Sequence, residues 1–398
     1  MQSKKIFLNH KVSQFTESVI RDMTRVCLEV NGINLAQGFP DYDPEPEIKE
    51  AAKKAIDDGF NQYAITWGSP NFRKAISKKL TEYNKIPTDP QKNITVTCGS
   101  TEAMICALLS IIDAGDEVII FEPFYENYGP DCILSGAKPV YVSLKEKAGQ
   151  FCFDEAELTR AFNQKTKAII INTPNNPLGK IFSKREMELI ASLCQEYQVL
   201  AITDEIYEYI LYDGEKHISI GSLPGMKDLT ITISGCSKTY SVTGWRLAYL
   251  RASEEITSGL RKVHDFLTVG APHPLQEAGA FMLSLKNDFY EKLRASFDER
   301  RHLLLDILQS AGFKCFFPKG AYYIMTNIDH FYGNKIKNDV EFGMWLAKEI
   351  GVAAVPGSSF YHSKQLGSKQ IRFTFSKKKE TLHQAGERLI KLSSRLPN

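Results

Sequence analysis

The sequence predicts an α/β fold: a large domain with a mainly parallel sheet covered by helices, then a smaller α+β domain. Three observations carry this. From about Ile94 to Leu250, short β-rich runs alternate with amphipathic stretches of helical periodicity. Runs such as Ala168-Ile169-Ile170-Ile171 are apolar at every position, as strands covered on both faces require. After Pro274 the alternation gives way to a long helical stretch and a second set of strands.

Taken in order, the first forty residues lack strand character and close on the turn-rich Asn34-Leu35-Ala36-Gln37-Gly38-Phe39-Pro40-Asp41. They predict an arm laid across another surface instead of the first strand of the sheet. The stretch from Asn61 to Pro70 is too polar and turn-prone for core. Strands are predicted at Ile94 to Thr97, Glu117 to Phe121, Pro139 to Leu144, Lys167 to Asn172, Val199 to Thr203 and Thr230 to Ser234, with helices between them such as Thr101 to Ile112 and Lys184 to Tyr197. Beyond Pro274 the pattern predicts one long helix to about Gln309 and strands at Tyr322 to Thr326, Ala353 to Val355 and Ile371 to Phe375. Helices are predicted near Val340 to Ile350 and Glu380 to Ser394. No Pro-, Gly- or Ser-rich linker separates the two parts, so the long helix is expected to join them rigidly.

Length and charge narrow the functions open to the chain. Its 398 residues suit two or three domains with a sizeable core, which excludes a disulfide-held miniprotein. An apolar fraction of 43% and a charged fraction of 24% exclude a disordered or fibrous chain. The 49 basic and 47 acidic residues leave a net charge of +2, too little to hold the protein on nucleic acid or an anionic membrane. Neither is a predicted partner. The eight cysteines form no C-x-x-C pair and stand singly in apolar surroundings, as thiols of a reducing compartment do. With no signal-peptide core and no membrane-span segment, a cytoplasmic location is predicted.

Ligands of an open α/β sheet bind beyond the carboxyl ends of the strands, so the residues there are the ones that matter. Gly99-Ser100-Thr101-Glu102 follows the first strand and opens a helix, offering amides and two hydroxyls to an anion such as phosphate. The same hydroxyls could merely cap the helix. Later strands lead into Asn172-Thr173-Pro174-Asn175-Asn176-Pro177-Leu178-Gly179, Asp204-Glu205-Ile206-Tyr207, Ser234-Gly235-Cys236-Ser237-Lys238-Thr239-Tyr240 and Thr243-Gly244-Trp245-Arg246. Singly, each has an ordinary explanation as a turn, a cap or a solvated charge. Their joint order does not.

In that order the residues resemble the fold type I, pyridoxal-phosphate-dependent aminotransferases of the class I/II group, over nearly the whole chain. The resemblance is specific in Asn-Asn-Pro-x-Gly, in Asp-Glu-x-Tyr and above all in Ser-Lys-Thr-x-x-x-x-Gly-Trp-Arg. Gln37-Gly38-Phe39-Pro40-Asp41 and Asn61-Gln62-Tyr63 resemble the branch containing kynurenine and methionine aminotransferases. The division it implies is an arm and part of the small domain at 1–44, a cofactor domain at 45–285 and a small domain at 286–398.

The resemblance also implies roles. Lys238 would bond the aldehyde of pyridoxal 5'-phosphate and later move the substrate proton, a task suited to a neutral amine. Asp204 would pair with the pyridine nitrogen and keep it protonated. Asn176 and the Tyr207 hydroxyl would hydrogen-bond the ring oxygen, and Tyr125 would stack on the ring face. Ser100, Thr101, Ser237 and Arg246 would hold the phosphate, a guanidinium and a helix end together matching a doubly charged anion. Many members carry Ser where this chain has Gly235, which leaves Ser234 and Ser237 as competing phosphate contacts. Tyr63 would reach the phosphate of a neighbouring subunit, implying a homodimer with shared sites. Arg372 would grip the substrate α-carboxylate, helped by the Gly38 amide.

The implied reaction moves an amino group from an apolar or aromatic L-amino acid, of the methionine, phenylalanine, tyrosine, kynurenine or glutamine type, to a 2-oxo acid. Its substrates are thus an amino acid and a 2-oxo acid, with no metal. The alternatives are β-elimination of cysteine conjugates on the same scaffold and a pyridoxal-phosphate-binding regulatory module. Candidates for the donor pocket are Ile6, Phe7, Phe39, Trp67, His273 and Tyr361, with Phe15 and Tyr128 on the same wall.

Overall fold

The computed structural model describes residues 7–333 and 335–392. Seven strands form the central sheet: β1 (Ile94–Thr97), β2 (Glu117–Glu122), β3 (Lys138–Ser143), β4 (Thr166–Asn172), β5 (Leu200–Asp204), β6 (Thr230–Gly235) and β7 (Ala248–Arg251). Their spatial order is β1-β7-β6-β5-β4-β2-β3. The pairings from β6 through β3 are parallel, and β7 alone runs the other way, wedged between β1 and β6.

Continuous apolar runs explain why this sheet is buried on both sides. In β2, Val118 and Ile120 join one core cluster while Ile119 and Phe121 join another. Ala168 and Ile170 of β4 part from Ile169 and Ile171 in the same way. Successive side chains of a strand point to opposite faces, so a strand apolar at every position needs cover on each. The helix Ser100–Ile111 covers one face with Ala103, Met104, Ala107 and Leu108. The helix Lys184–Tyr197, started by a capping box between Ser183 and Glu186, covers the other with Met187, Ile190 and Ala191. Each Ile or Leu so buried contributes about 1.5–3 kcal/mol.

A second, antiparallel sheet has the order β8 (Lys314–Cys315), β9 (Tyr323–Asn327), β11 (Gln370–Thr374), β10 (Val355–Pro356). The helix Asn287–Ser310 links the two parts as expected. Its Tyr290 packs with Tyr209 and Tyr240 beside the large sheet, and its Phe297, Leu304, Leu305 and Leu308 enter the core of the small one.

Several local expectations are corrected. The stretch after Pro274 is two helices, His273–Met282 and Asn287–Ser310, and in the turn between them Leu283 and Leu285 pack against the tyrosine cluster. The strand expected from Ala353 to Val355 divides: Val352–Ala353 pairs with Ile33–Asn34, and Val355–Pro356 pairs with β11. The described residues before Asp41 stay out of the large sheet but contain the helix Val19–Glu29 and are tied to the small sheet, Thr374 N donating to Leu35 O at 2.9 Å. Strand β7 was not anticipated as a strand; its four residues make sense only between two partners. The last helix is Lys379–Leu389, and its expected end at Ser394 lies outside the described residues.

Candidate active site

Because β1, β4, β5 and β6 run in one direction, the segments that follow them emerge at the same edge. Together with the arm and the small sheet they enclose a cavity of about 690 Å³. Ser100, Thr101, Tyr125, Asn176, Asp204, Tyr207, Ser237, Lys238, Arg246, Gly38 and Arg372 all line it. Tyr63 does not, and it is 85% exposed.

Lys238 donates from Nζ to the Gly38 carbonyl at 3.1 Å, with its ammonium over the rings of Tyr207 and Tyr322 at 5.9 and 5.7 Å. Burial, then the charges of Arg246, Arg372 and Lys377, push this amine down to about 8 despite the opposing pull of Asp204. Asp204 ends β5 and is itself buried; burial pushes its carboxyl up, against a hydrogen bond from the Tyr128 hydroxyl at 2.7 Å and the charge of Lys238. Its Oδ1 receives only the Ile206 amide, at 3.3 Å. Such a carboxylate favours a further cation.

Arg372 is fully buried, yet no carboxylate pairs with it among the described residues. It donates to Asn176 Oδ1 at 2.6 Å and to the Ala36 carbonyl at 2.7 Å, lies 4.2 Å from the Tyr323 ring, and leaves Nε without a partner. A structural ion pair is therefore not what this arginine makes. Asn176 is held in turn by Asn172, whose Oδ1 accepts the Asn176 amide at 2.7 Å and whose Nδ2 donates to the Asp204 carbonyl at 2.9 Å. The Tyr207 and Tyr323 hydroxyls share a 2.9 Å hydrogen bond.

At the other end, the helix Ser100–Ile111 begins at Gly99, with φ of 87° and no side-chain cap. The capping alternative for Ser100 and Thr101 is thereby removed. A Cβ at Gly99 would fall 2.3 Å from an Arg246 nitrogen, so glycine is what lets the guanidinium lie against the helix end. Sterics also account for the glycine at 235. A Cβ at Gly235 would meet the Ala248 Cβ at 2.7 Å on the neighbouring antiparallel strand, which excludes serine there. Ser234 is bonded to Glu208, whereas Ser237 faces the cavity. We expect Gly235→Ala to destabilise the protein by about 1–3 kcal/mol, read from its urea midpoint, as overpacking of a close-fitted site does.

Of the donor-pocket candidates, Phe39 and Tyr128 line the cavity. Phe7, Phe15, Trp67, His273 and Tyr361 do not, and Ile6 lies outside the described residues. Trp67 instead lies under Arg261, His273 Nδ1 donates to the Gln62 carbonyl at 3.0 Å, and the Tyr361 hydroxyl donates to Gln370 Oε1. Sequence reasoning missed the positions of Asn172 and Tyr323 beside the reacting groups. Asn172 could have been found, since it is the last residue of a strand at the ligand-binding edge. Tyr323 gives no local signal, because only the docking of the small sheet brings it in.

The family model for aminotransferases of class I and II matches residues 30–389. The chain belongs to this family. It is a pyridoxal-phosphate-dependent aminotransferase that works with a 2-oxo acid. It is 36% identical to kynurenine–oxoglutarate transaminase 1 of Homo sapiens over 400 residues, 93% of this chain and 94% of that protein. Among solved structures it is similar to N-succinyldiaminopimelate aminotransferase from Mycobacterium tuberculosis, with TM-score 0.93, 33% identity and coverage of 97% of this chain and 100% of that one. It is also similar to an Escherichia coli protein described as having a methionine aminotransferase function, with TM-score 0.91, 31% identity and coverage of 97% and 100%.

The residues of this aminotransferase fit the cofactor. An uncapped helix end beside Arg246 suits a phosphate, and a buried carboxylate short of hydrogen-bond donors suits a protonated ring nitrogen. The depressed amine has a testable consequence. Only neutral Lys238 can attack an aldehyde, so capture of added pyridoxal phosphate by the apoprotein should accelerate with rising pH and level off above about 8. An ordinary lysine would keep gaining rate to above pH 10. Stopped-flow absorbance of the linked cofactor distinguishes the two profiles.

Proposed function

We propose that this aminotransferase takes the amino group of an apolar or aromatic L-amino acid, of the methionine, phenylalanine, tyrosine, kynurenine or glutamine type. The observation that carries the reading is one cavity in which Lys238, Asp204 and Arg372 meet a wall containing Ile20, Phe39, Tyr125 and Tyr323. Relatives named for kynurenine and methionine support the same donor class.

Bound in the cavity, pyridoxal phosphate supplies an aldehyde for the amino group and a ring that accepts the electron pair released at Cα. The chain does the rest. Lys238 Nζ removes the Cα proton and returns it at the cofactor carbon, the low affinity of this amine for protons letting it do both near neutral pH. Asp204 keeps the ring nitrogen protonated, with Tyr128 fixing the carboxylate's orientation. Asn176 and the Tyr207 hydroxyl would hold the ring oxygen, and Tyr125 would pack on the ring. Ser100, Thr101, Ser237 and Arg246 hold the phosphate. Arg372 and the Gly38 amide fix the substrate carboxylate, which sets the Cα–H bond across the ring plane.

Tyr63, exposed in its own subunit, reaches the phosphate of a second copy in this reading, so the active unit is a two-fold homodimer. We place it in the cytoplasm, where its eight unlinked cysteines would stay reduced. No helix among the described residues is long and apolar enough to cross a membrane. The division at 1–44, 45–285 and 286–398 is kept as part of the proposal. A panel of amino donors against several 2-oxo acids, scored by kcat/KM, tests it. Methionine, phenylalanine or kynurenine should rank above aspartate, and aspartate in first place would contradict the donor class.

A further inference from the structure

The cavity holds one more guanidinium than these roles use. Arg21 lies on the helix Val19–Glu29, whose buried face is Ile20, Met23 and Cys27, and it lines the cavity together with Gln37. Its helical neighbour Arg25 is paired with Glu17 at 3.0 Å and with Asp22. Among the described residues Arg21 has neither an ion pair nor a side-chain hydrogen bond.

The start of that helix is fixed in place. The Ser18 hydroxyl donates to Glu126 Oε2, and the Ile20 amide donates to Glu126 Oε1 at 3.3 Å. Both oxygens of Glu126 are thus engaged by the helix start, while Glu17 and Asp22 pair with Arg25. Burial pushes the Glu126 carboxyl up, against the Ser18 hydroxyl and the charges of both Arg372 and Arg21. Both guanidinia line the same cavity. The phosphate takes Arg246 and the α-carboxylate takes Arg372. A cation remains at the cavity wall with no acid among the described residues in an ion pair with it, and its chemical complement is a second carboxylate.

We infer that Arg21 binds the side-chain carboxylate of a dicarboxylic 2-oxo acid and is a specificity-determining residue for the acceptor half of the reaction. This rests on the function proposed above. The same cavity then serves two kinds of substrate: the apolar donor side chain lies against Ile20 and Phe39, and the acceptor's distal carboxylate meets Arg21. Because Arg21 is exposed on a helix anchored by other residues, its replacement should leave the fold intact.

The experiment uses the holoenzyme and its Arg21→Gln and Arg21→Lys variants, with 2-oxoglutarate and 2-oxopentanoate as acceptors. Arg21→Gln should lose about tenfold in kcat/KM for 2-oxoglutarate, the usual size of one charge-assisted hydrogen bond, and less than about twofold for 2-oxopentanoate. Arg21→Lys should recover most of the loss. Calorimetry with glutarate and pentanoate gives a readout free of turnover: Arg21→Gln should weaken glutarate by a similar factor and leave pentanoate unchanged. Equal losses for both acids, or no loss for either, would overturn the assignment. Wild-type enzyme that moves no amino group to any acceptor would instead sink the proposed function, while wild-type turnover with an unaltered acceptor ratio in Arg21→Gln sinks only this inference.

Discussion

Replacing Lys238 by Ala should lower aminotransferase turnover by about 10⁴-fold, the upper end of what one positioned acid–base group contributes. The variant loses two things at once: the nucleophile that links the cofactor and the amine that moves the Cα proton. The loss should be chemical and not structural. Among the described residues the Lys238 side chain makes a single hydrogen bond, to the Gly38 carbonyl, and its burial disfavours its own charge. Its removal takes a costly cation out of the interior, so the denaturation midpoint of the apoprotein should not fall. Added methylamine should restore part of the turnover, more at higher pH, because a free amine can enter the space and carry the proton. A variant that lost activity through misfolding would show neither behaviour.

Arg372→Leu should lower kcat/KM for monocarboxylic amino acids by about 10²–10³-fold, while cofactor loading stays complete. Two charge-assisted hydrogen bonds to a carboxylate are together worth about 3–4 kcal/mol. The stability readout separates this role from a structural one. Arg372 is fully buried, its two bonds go to the neutral oxygens of Asn176 and Ala36, and its Nε has no partner. Burying a cation without a paired acid costs several kcal/mol, so the protein carries strain here that a substrate carboxylate relieves. Leucine should therefore leave the urea midpoint of the apoprotein where it is or raise it. A structural arginine would lower stability and activity together.

Much of this was legible from residue order alone, for a physical reason. Parallel strands buried on both faces need apolar residues on each, so β2 and β4 stand out as runs such as Val118 to Phe121 and Ile169 to Ile171. Their ligand-binding ends must switch abruptly to polar residues, so Asn176, Asp204, Ser237 and Lys238 stand out too. What was not legible depends on contacts made at a distance. Strand β7 is four residues long and exists through pairing with β1 and β6. The break after Met282 carries no Pro or Gly to announce it, and the leucines within it pack on the cluster around Tyr290. Tyr323 reaches Tyr207 only because the small sheet docks on the large domain, and Arg21 reaches the cavity only because Ser18 and Ile20 grip Glu126. Gly235 looked like a missing hydroxyl, and its reason is the close approach of Ala248 across the sheet. The aromatic guesses for the donor pocket fared least well, since composition does not say which way a ring points.

The central claim is a covalent link between one amine and the cofactor, and reduction with borohydride tests it most directly. The purified holoenzyme, reduced, digested and analysed by mass spectrometry, should carry a single phosphopyridoxyl group on the peptide containing Ser237-Lys238-Thr239. Finding the label on another lysine, or no label with the cofactor recovered free, would contradict the account.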